Sequence, residues 1–250
     1  GSEMCIRDSY SPAKGLFAAR KAIMQYAQLK NIPNVTIEDI YTGNGVSELI
    51  NLSMSALLDD GDEILIPSPD YPLWTACATL AGGKAVHYLC DEQADWYPDL
   101  ADIRKKITCR TKAIVIINPN NPTGSLIAPE KLKTILTHCK ETNTYVMIDE
   151  TYIEFVPDVD ELSAIPLTEL FDNVIILRGT SKFFATPGLR LGYAITSNSQ
   201  ILTDINTNKN PWMINSLAVV AGETMFLDEE YIDKTRSLIL SEKTRCRQLI

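Results

Sequence analysis

The chain has 250 residues, with 23 Lys+Arg against 32 Asp+Glu, giving a formal net charge of −9. With 45% hydrophobic and 22% charged residues it has an ordinary globular composition, neither disordered nor collagen-like. The acidic balance excludes broad nucleic-acid binding, which needs clustered Lys/Arg to displace counterions, and no apolar run approaches the ~20 residues that span a bilayer.

The nine leading residues Gly1 to Ser9 (GSEMCIRDS) have no periodic pattern and read as a leader or tag outside the fold. From Tyr10 onward the chain alternates regularly. A helix is predicted over 16–30, then a short strand at 39–42. Val46, Leu49, Ile50, Met54, Leu57 and Leu58 recur at helical spacing and predict a helix over 46–59. Asp60-Gly61-Asp62 is a turn into the strand Glu63–Pro67. A helix near 72–81 ends at Gly82-Gly83; a strand at 84–89 and a helix near 98–107 follow. The run Ala113–Ile117 lies in a strand at 112–117, apolar enough to be buried on both faces. Helix 128–142, strands 144–149, 173–178 and 191–196, and helix 214–227 continue the series. From Glu229 a charged helix runs toward Ile250 with no cap, Gly or Pro to stop it, so the chain reads as cut inside a helix. Strands separated by helices predict an α/β fold: three α/β/α layers around a mainly parallel sheet. Functional groups then belong in the loops beyond the strands' carboxyl ends.

Six scattered cysteines without a C-x-x-C pair, and only two histidines, argue against a structural zinc site. Without a secretory signal they read as reduced, cytoplasmic thiols.

Four segments at predicted strand ends are candidates for chemistry. Thr42-Gly43-Asn44-Gly45-Val46-Ser47-Glu48 opens a helix and reads either as a plain strand–helix turn or as a phosphate site, where free N–H groups and the dipole favour an anion. It lacks the third Gly of the dinucleotide fingerprint, where Glu48 stands, and the Gly-Lys of a P-loop. Asn118-Pro119-Asn120-Asn121-Pro122-Thr123-Gly124 reads as a Pro-rich turn or as a rigidly held amide that donates to a ligand oxygen. Asp149-Glu150-Thr151-Tyr152 ends an apolar strand; Asp149 reads as a cap or as a desolvated carboxylate that needs a cation. In Thr180-Ser181-Lys182-Phe183-Phe184, the flanking phenylalanines predict an apolar setting for the Lys182 amine, which would lower its pKa and make it nucleophilic. Together the four describe one ligand with a phosphate, a ring nitrogen, a phenolic oxygen and a carbonyl, which is pyridoxal phosphate.

The order and spacing of these motifs resemble the fold type I pyridoxal-phosphate enzymes, aminotransferase class I/II, from Tyr10 to the end. The resemblance implies that Lys182 forms the resting aldimine and shuttles the proton, and that Asp149 pairs with the pyridinium nitrogen. It implies that Asn121 and Tyr152 bond the 3′ oxygen. Gly45, Val46 and Ser47 then cradle the phosphate with Ser181 and Arg190, eight residues after Lys182. Tyr71, in Pro69-Asp70-Tyr71-Pro72-Leu73-Trp74, resembles the residue stacked on the ring, and otherwise reads as a core aromatic. Tyr10, in Tyr-x-x-x-x-Gly, resembles the residue that reaches the partner's phosphate, which implies a homodimer.

Residues 43–124 look like the alanine–glutamate aminotransferases. Residues 149–193, with Pro211-Trp212-Met213-Ile214-Asn215, look more like histidinol-phosphate aminotransferases and threonine-phosphate decarboxylases. The expected activity is amino-group transfer between an amino acid and a 2-oxo acid. Decarboxylation of a phosphorylated amino acid and a non-catalytic cofactor-binding module stand as alternatives. The resemblance divides the chain into the leader 1–9, a cofactor-binding large domain over 10–228, and a helix over 229–250 leading to a C-terminal domain. That domain carries the family's carboxylate-binding Arg, so the chain alone is expected to bind cofactor but turn over poorly.

Overall fold

The computed structural model describes residues 14–29, 35–208 and 214–248. Nine helices and eight strands are named here within those segments. The helices are α1 (Phe17–Leu29), α2 (Val46–Leu57), α3 (Leu73–Leu80), α4 (Leu100–Lys106), α5 (Pro129–Glu141), α6 (Val159–Leu162), α7 (Ser199–Asn208), α8 (Ser216–Met225) and α9 (Glu229–Arg247). The strands are β1 (Ile40–Asn44), β2 (Glu63–Ser68), β3 (Lys84–Asp91), β4 (Tyr97–Pro98), β5 (Thr111–Ile117), β6 (Tyr145–Asp149), β7 (Val174–Gly179) and β8 (Leu191–Ile195).

The strands form one sheet in the order β1-β8-β7-β6-β5-β2-β3-β4. The pairs β2–β3, β2–β5, β5–β6 and β6–β7 are parallel, while β8 runs antiparallel to both β1 and β7, and β4 antiparallel to β3. The strand sequences explain why helices cover both faces. Side chains alternate in direction along a strand, so a strand with no polar position has no face for water. In β5, Ile114 and Ile116 enter one core while Ala113, Val115 and Ile117 enter the other. The same split separates Val146 and Ile148 from Met147 in β6, and Val174 and Ile176 from Ile175 and Leu177 in β7. Helices α2, α3 and α7 close one core; α1, α5, α8 and α9 contribute to the other. The three-layer α/β/α expectation holds.

Helix starts follow local chemistry. The Asp99 carboxylate accepts from the Ala101 and Asp102 amides at α4, Asn215 accepts from Ala218 at α8, and Asp228 from Tyr231 at α9. Helices α6 and α7, the short strand β4 and the reversal of β8 lie outside the sequence expectations. Helix α7 was not predicted, because its sequence SQILTDINTN is largely polar and buries only Ile201 and Ile205. The reversal of β8 was also not anticipated. It matters because it brings the start of β8 to the edge where β1, β5, β6 and β7 end: Asn44 pairs with Leu191, Gly179 with Gly192, and Ile117 with Asp149.

Candidate active site

A cavity of about 230 Å³ opens at that edge. It is lined by Val46, Ser47, Tyr71, Asn121, Asp149, Tyr152, Ser181, Lys182 and Arg190, together with Ile50, Leu73, Ile117, Thr151 and Pro187. Every predicted site residue except Gly45 and Tyr10 is therefore on its wall. Gly45 stands behind Arg190, and Tyr10 lies outside the described residues, as do Pro211, Trp212 and Met213.

At one end of the cavity, α2 begins at Gly45 with no side chain capping it. Its first N–H groups and the positive dipole end are left to a ligand. The Glu48 carboxylate accepts from the Asn44 amide at 2.6 Å and fixes the turn. The Arg190 guanidinium lies against this turn and donates to the carbonyls of Asn44 and Pro187, each at 3.3 Å. Two glycines make the approach possible. Gly45 has φ +78°, and a Cβ there would stand 2.5 Å from Arg190 Nη2. A Cβ on Gly192 would stand 2.7 Å from the backbone of Gly45 and Val46. The Asn215 amide, donating to the Leu189 carbonyl at 2.9 Å, ties α8 to the residue before Arg190.

Asp149 ends β6 and is 8% exposed. Its Oδ1 accepts from the Thr151 amide at 2.9 Å and from the Thr151 hydroxyl at 2.6 Å. Among the described residues no cation pairs with it. Burial pushes its carboxyl above the ordinary range; the two Thr151 bonds oppose this and the neighbouring Glu150 adds to it. A buried carboxylate in this condition on a cavity wall suits a cationic ring N–H. Thr151 is a site residue that sequence reading missed, although an Asp followed two residues later by Thr is the spacing of a local side-chain turn.

The Asn-Pro loop divides its amides between two tasks. Asn118 is fully buried; it donates to the Ile127 carbonyl at 3.1 Å and accepts the Ile127 amide at 2.7 Å, closing the loop. Asn120 accepts from Thr123 through both its amide and its hydroxyl. Asn121, on the cavity wall, is the amide of the three left to a ligand. Tyr71 lines the same cavity and is 50% exposed, which removes the alternative reading as a core aromatic.

The expected apolar setting of Lys182 is not found. Phe183 and Phe184 are buried, but they turn away from the cavity into an aromatic cluster with Phe155, Phe226 and Tyr231. Lys182 itself is exposed on the open wall. The turn between β7 and β8 sends Lys182 to the cavity and both phenylalanines to the core, so the rings anchor the loop rather than desolvate the amine.

The residues present fit pyridoxal phosphate: an uncapped helix start with an arginine for the phosphate, a desolvated carboxylate for the ring nitrogen, an amide and a phenol for the ring oxygen, and a lysine for the aldehyde. No group of His, Cys, Asp and Glu suited to a metal ion occurs among the described residues.

Comparison with known proteins agrees. The glutamate-pyruvate aminotransferase AlaA of Escherichia coli K12 is 52% identical over 188 residues, 74% of this chain and 46% of that protein. A putative threonine-phosphate decarboxylase of Caldanaerobacter subterraneus is 36% identical over 205 residues, 82% of this chain and 55% of that protein. The solved histidinol-phosphate aminotransferase of Clostridium acetobutylicum superposes with a TM-score of 0.82 at 33% identity, covering 95% of this chain and 67% of that one. The chain spans about half the length of the curated relatives it matches. The model of the family "Aminotransferase class I and II", whose members depend on pyridoxal phosphate, matches residues 3–250, so the chain belongs to that family.

Proposed function

We propose that this chain is the cofactor-binding portion of an aminotransferase that moves an amino group between an amino acid and a 2-oxo acid, with alanine and glutamate as the expected amino acids. The observation that carries the reading is the convergence of Lys182, Asp149, Asn121, Tyr152 and Arg190 on one cavity. The AlaA relative supports the substrate class.

When bound, pyridoxal phosphate supplies an aldehyde that takes up the amino group and a ring that accepts an electron pair. The rest is the work of this chain's residues. The Val46 and Ser47 amides, the Ser47 and Ser181 hydroxyls and Arg190 bind the phosphate dianion; the helix start adds its dipole and the guanidinium its charge. Asp149 holds a proton at the ring nitrogen, because a buried carboxylate without a cation is relieved by an N–H⁺ partner. Asn121 and Tyr152 bond the ring oxygen and fix the ring's rotation. Tyr71 covers one ring face. Lys182 would hold the aldehyde carbon through its amine, and its Nζ is the group on this wall placed to take and return a proton. Its exposure on an open wall makes it reachable by substrate.

In this reading residues 10–228 make up the cofactor-binding large domain. Two copies pair so that Tyr10 of one reaches the phosphate site of the other. The described cysteines are all free, in keeping with a reducing, cytoplasmic setting.

The purified chain should turn yellow with pyridoxal phosphate, and borohydride should leave the cofactor fixed on Lys182. A Lys182→Ala chain that keeps the same absorption band refutes the assignment. The 36% identity to a putative threonine-phosphate decarboxylase favours one second reading, loss of carbon dioxide from a phosphorylated amino acid. Incubation with alanine, glutamate or phosphothreonine separates the two: a 2-oxo acid product supports transfer, and released carbon dioxide supports decarboxylation.

A further inference from the structure

Behind the cavity wall lies a buried chain of charges that the proposed chemistry does not use. Arg178 of β7 donates through Nε and Nη2 to Glu150 Oε2, at 2.9 and 2.7 Å, and through Nη1 to Glu154 Oε1 at 3.1 Å. Its Nη2 also bonds the Ser163 hydroxyl at 2.8 Å. The second oxygen of Glu154 accepts from Arg236 Nη2 at 2.7 Å, across 82 residues of sequence. The Arg236 guanidinium in turn lies 5.7 Å from the centre of the Phe183 ring. Five residues earlier on α9, the Tyr231 hydroxyl donates to the Phe183 carbonyl at 3.0 Å.

The placement of these contacts is systematic. Glu150 directly follows Asp149, Glu154 lies two residues beyond Tyr152, and Phe183 directly follows Lys182. Each of the three cavity-facing side chains thus has a near neighbour held from the opposite side, and all three anchors belong to one connected network. Two arginines match two glutamates, so the buried network is neutral when all four are charged. Its members are coupled, because moving either arginine takes a partner from a buried glutamate. Of this network, α9 supplies Arg236 and Tyr231, while most of the helix beyond Ile232 is exposed.

We infer that Tyr231 and Arg236 are positioning residues for the cofactor site: from α9 they hold the Lys182 turn and the Tyr152 turn at a fixed separation. They touch neither cofactor nor substrate; they act through Phe183 and Glu154. The inference rests on the proposed role of Lys182 in carrying the cofactor.

The test compares Tyr231→Phe, Arg236→Met and, as a control on the same helix, Lys234→Met, whose amine bonds only the exposed Glu230. Tyr231→Phe removes one hydroxyl and keeps the ring packing, so the fold survives it. Three quantities are read: pyridoxal phosphate affinity by absorbance titration, visible circular dichroism of the bound cofactor at saturation, and the melting temperature. Visible dichroism reports the ring's orientation against the protein, which general loosening of a distant helix would not alter at saturation. Tyr231→Phe and Arg236→Met should each weaken affinity about tenfold, the size of effects relayed through packed networks, and change the visible dichroism. Lys234→Met should match wild type. Wild-type affinity and dichroism in both variants, with only the melting temperature lowered, overturn the inference and leave the proposed function intact. A wild-type chain in which borohydride fixes no cofactor on Lys182 overturns both.

Discussion

Gly192→Ala puts the phosphate cradle to a quantitative test. The added methyl would stand 2.7 Å from the Gly45 carbonyl carbon and the Val46 nitrogen, about 0.7 Å inside the 3.4 Å where ordinary contact begins. Both clashing atoms are backbone, so no side chain can rotate away. Since Gly192 is held in register between Gly43 of β1 and Gly179 of β7, the start of α2 must move instead. A shift of ~0.7 Å takes an N–H···O contact of about 2.9 Å past 3.5 Å, beyond hydrogen bonding. One lost bond to a charged acceptor is worth roughly 1.5–3 kcal/mol, so pyridoxal phosphate affinity should fall about ten- to a hundredfold. Overpacking should also cost the fold about 1–3 kcal/mol. The assay is absorbance titration with pyridoxal phosphate and with pyridoxal, which lacks the phosphate. The variant should lose affinity for the first and little for the second. Gly188→Ala, in the turn just before β8 and with nothing within 4 Å of the new methyl, should stay within about 0.5 kcal/mol of wild type. An unchanged preference for the phosphorylated ligand in Gly192→Ala would refute the cradle.

Asp149→Asn should still let borohydride fix the cofactor on Lys182, yet slow conversion of an amino acid to its 2-oxo acid by roughly two to four orders of magnitude, measured in single turnovers. Arg178→Met strands Glu150 in the core, leaves Glu154 only its Arg236 partner, and should cost about 3–5 kcal/mol, a fall in melting temperature on the order of 10 °C by calorimetry. Glu63, bonded first by the Thr108 hydroxyl and also by Lys84 and Arg110, has its carboxyl held below the usual range. Its stabilisation is therefore complete above the ordinary carboxylate pKa and lost as pH falls through the lowered folded value. Glu63→Gln should accordingly melt lower than wild type near neutral pH, with the gap closing in acid. Alkylation of the native chain should mark Cys109 and Cys246 first among the described cysteines, since Cys77, Cys90 and Cys139 are buried and burial pushes the Cys139 thiol up to about 12.

Much of this site is legible in the amino-acid sequence. Its residues sit at the ends of short apolar strands, where turn signals and unusual side chains stand out against a regular background. Asn121, Asp149 and Lys182 are readable because they stand at or just beyond the carboxyl ends of β5, β6 and β7, whereas Arg190 precedes β8 and is readable only through the resemblance, eight residues after Lys182. The environment of Lys182 was not readable. Adjacency to Phe183 and Phe184 in the chain implied adjacency in space, whereas the turn after β7 sends the lysine to the cavity and the rings to the core. The Glu150–Arg178–Glu154–Arg236 network was equally hidden, because charges far apart in sequence leave no local periodicity. Helix α7 escaped because two buried isoleucines in a polar decamer are too few to set a period.

By itself the sequence determined the layers and the chemistry. Strands apolar at every position must be covered on both faces, and the residue types that a cofactor needs are covalent facts of the chain. Only the tertiary structure decided which of those residues share a cavity. The antiparallel return of β8 brings Arg190 to the start of α2 and leaves Gly45 and Gly192 among the positions where no side chain fits. Burial decides that Asp149 awaits a cation, and packing against α9 decides where the Lys182 turn is held, because both depend on contacts between segments that the chain brings together only on folding.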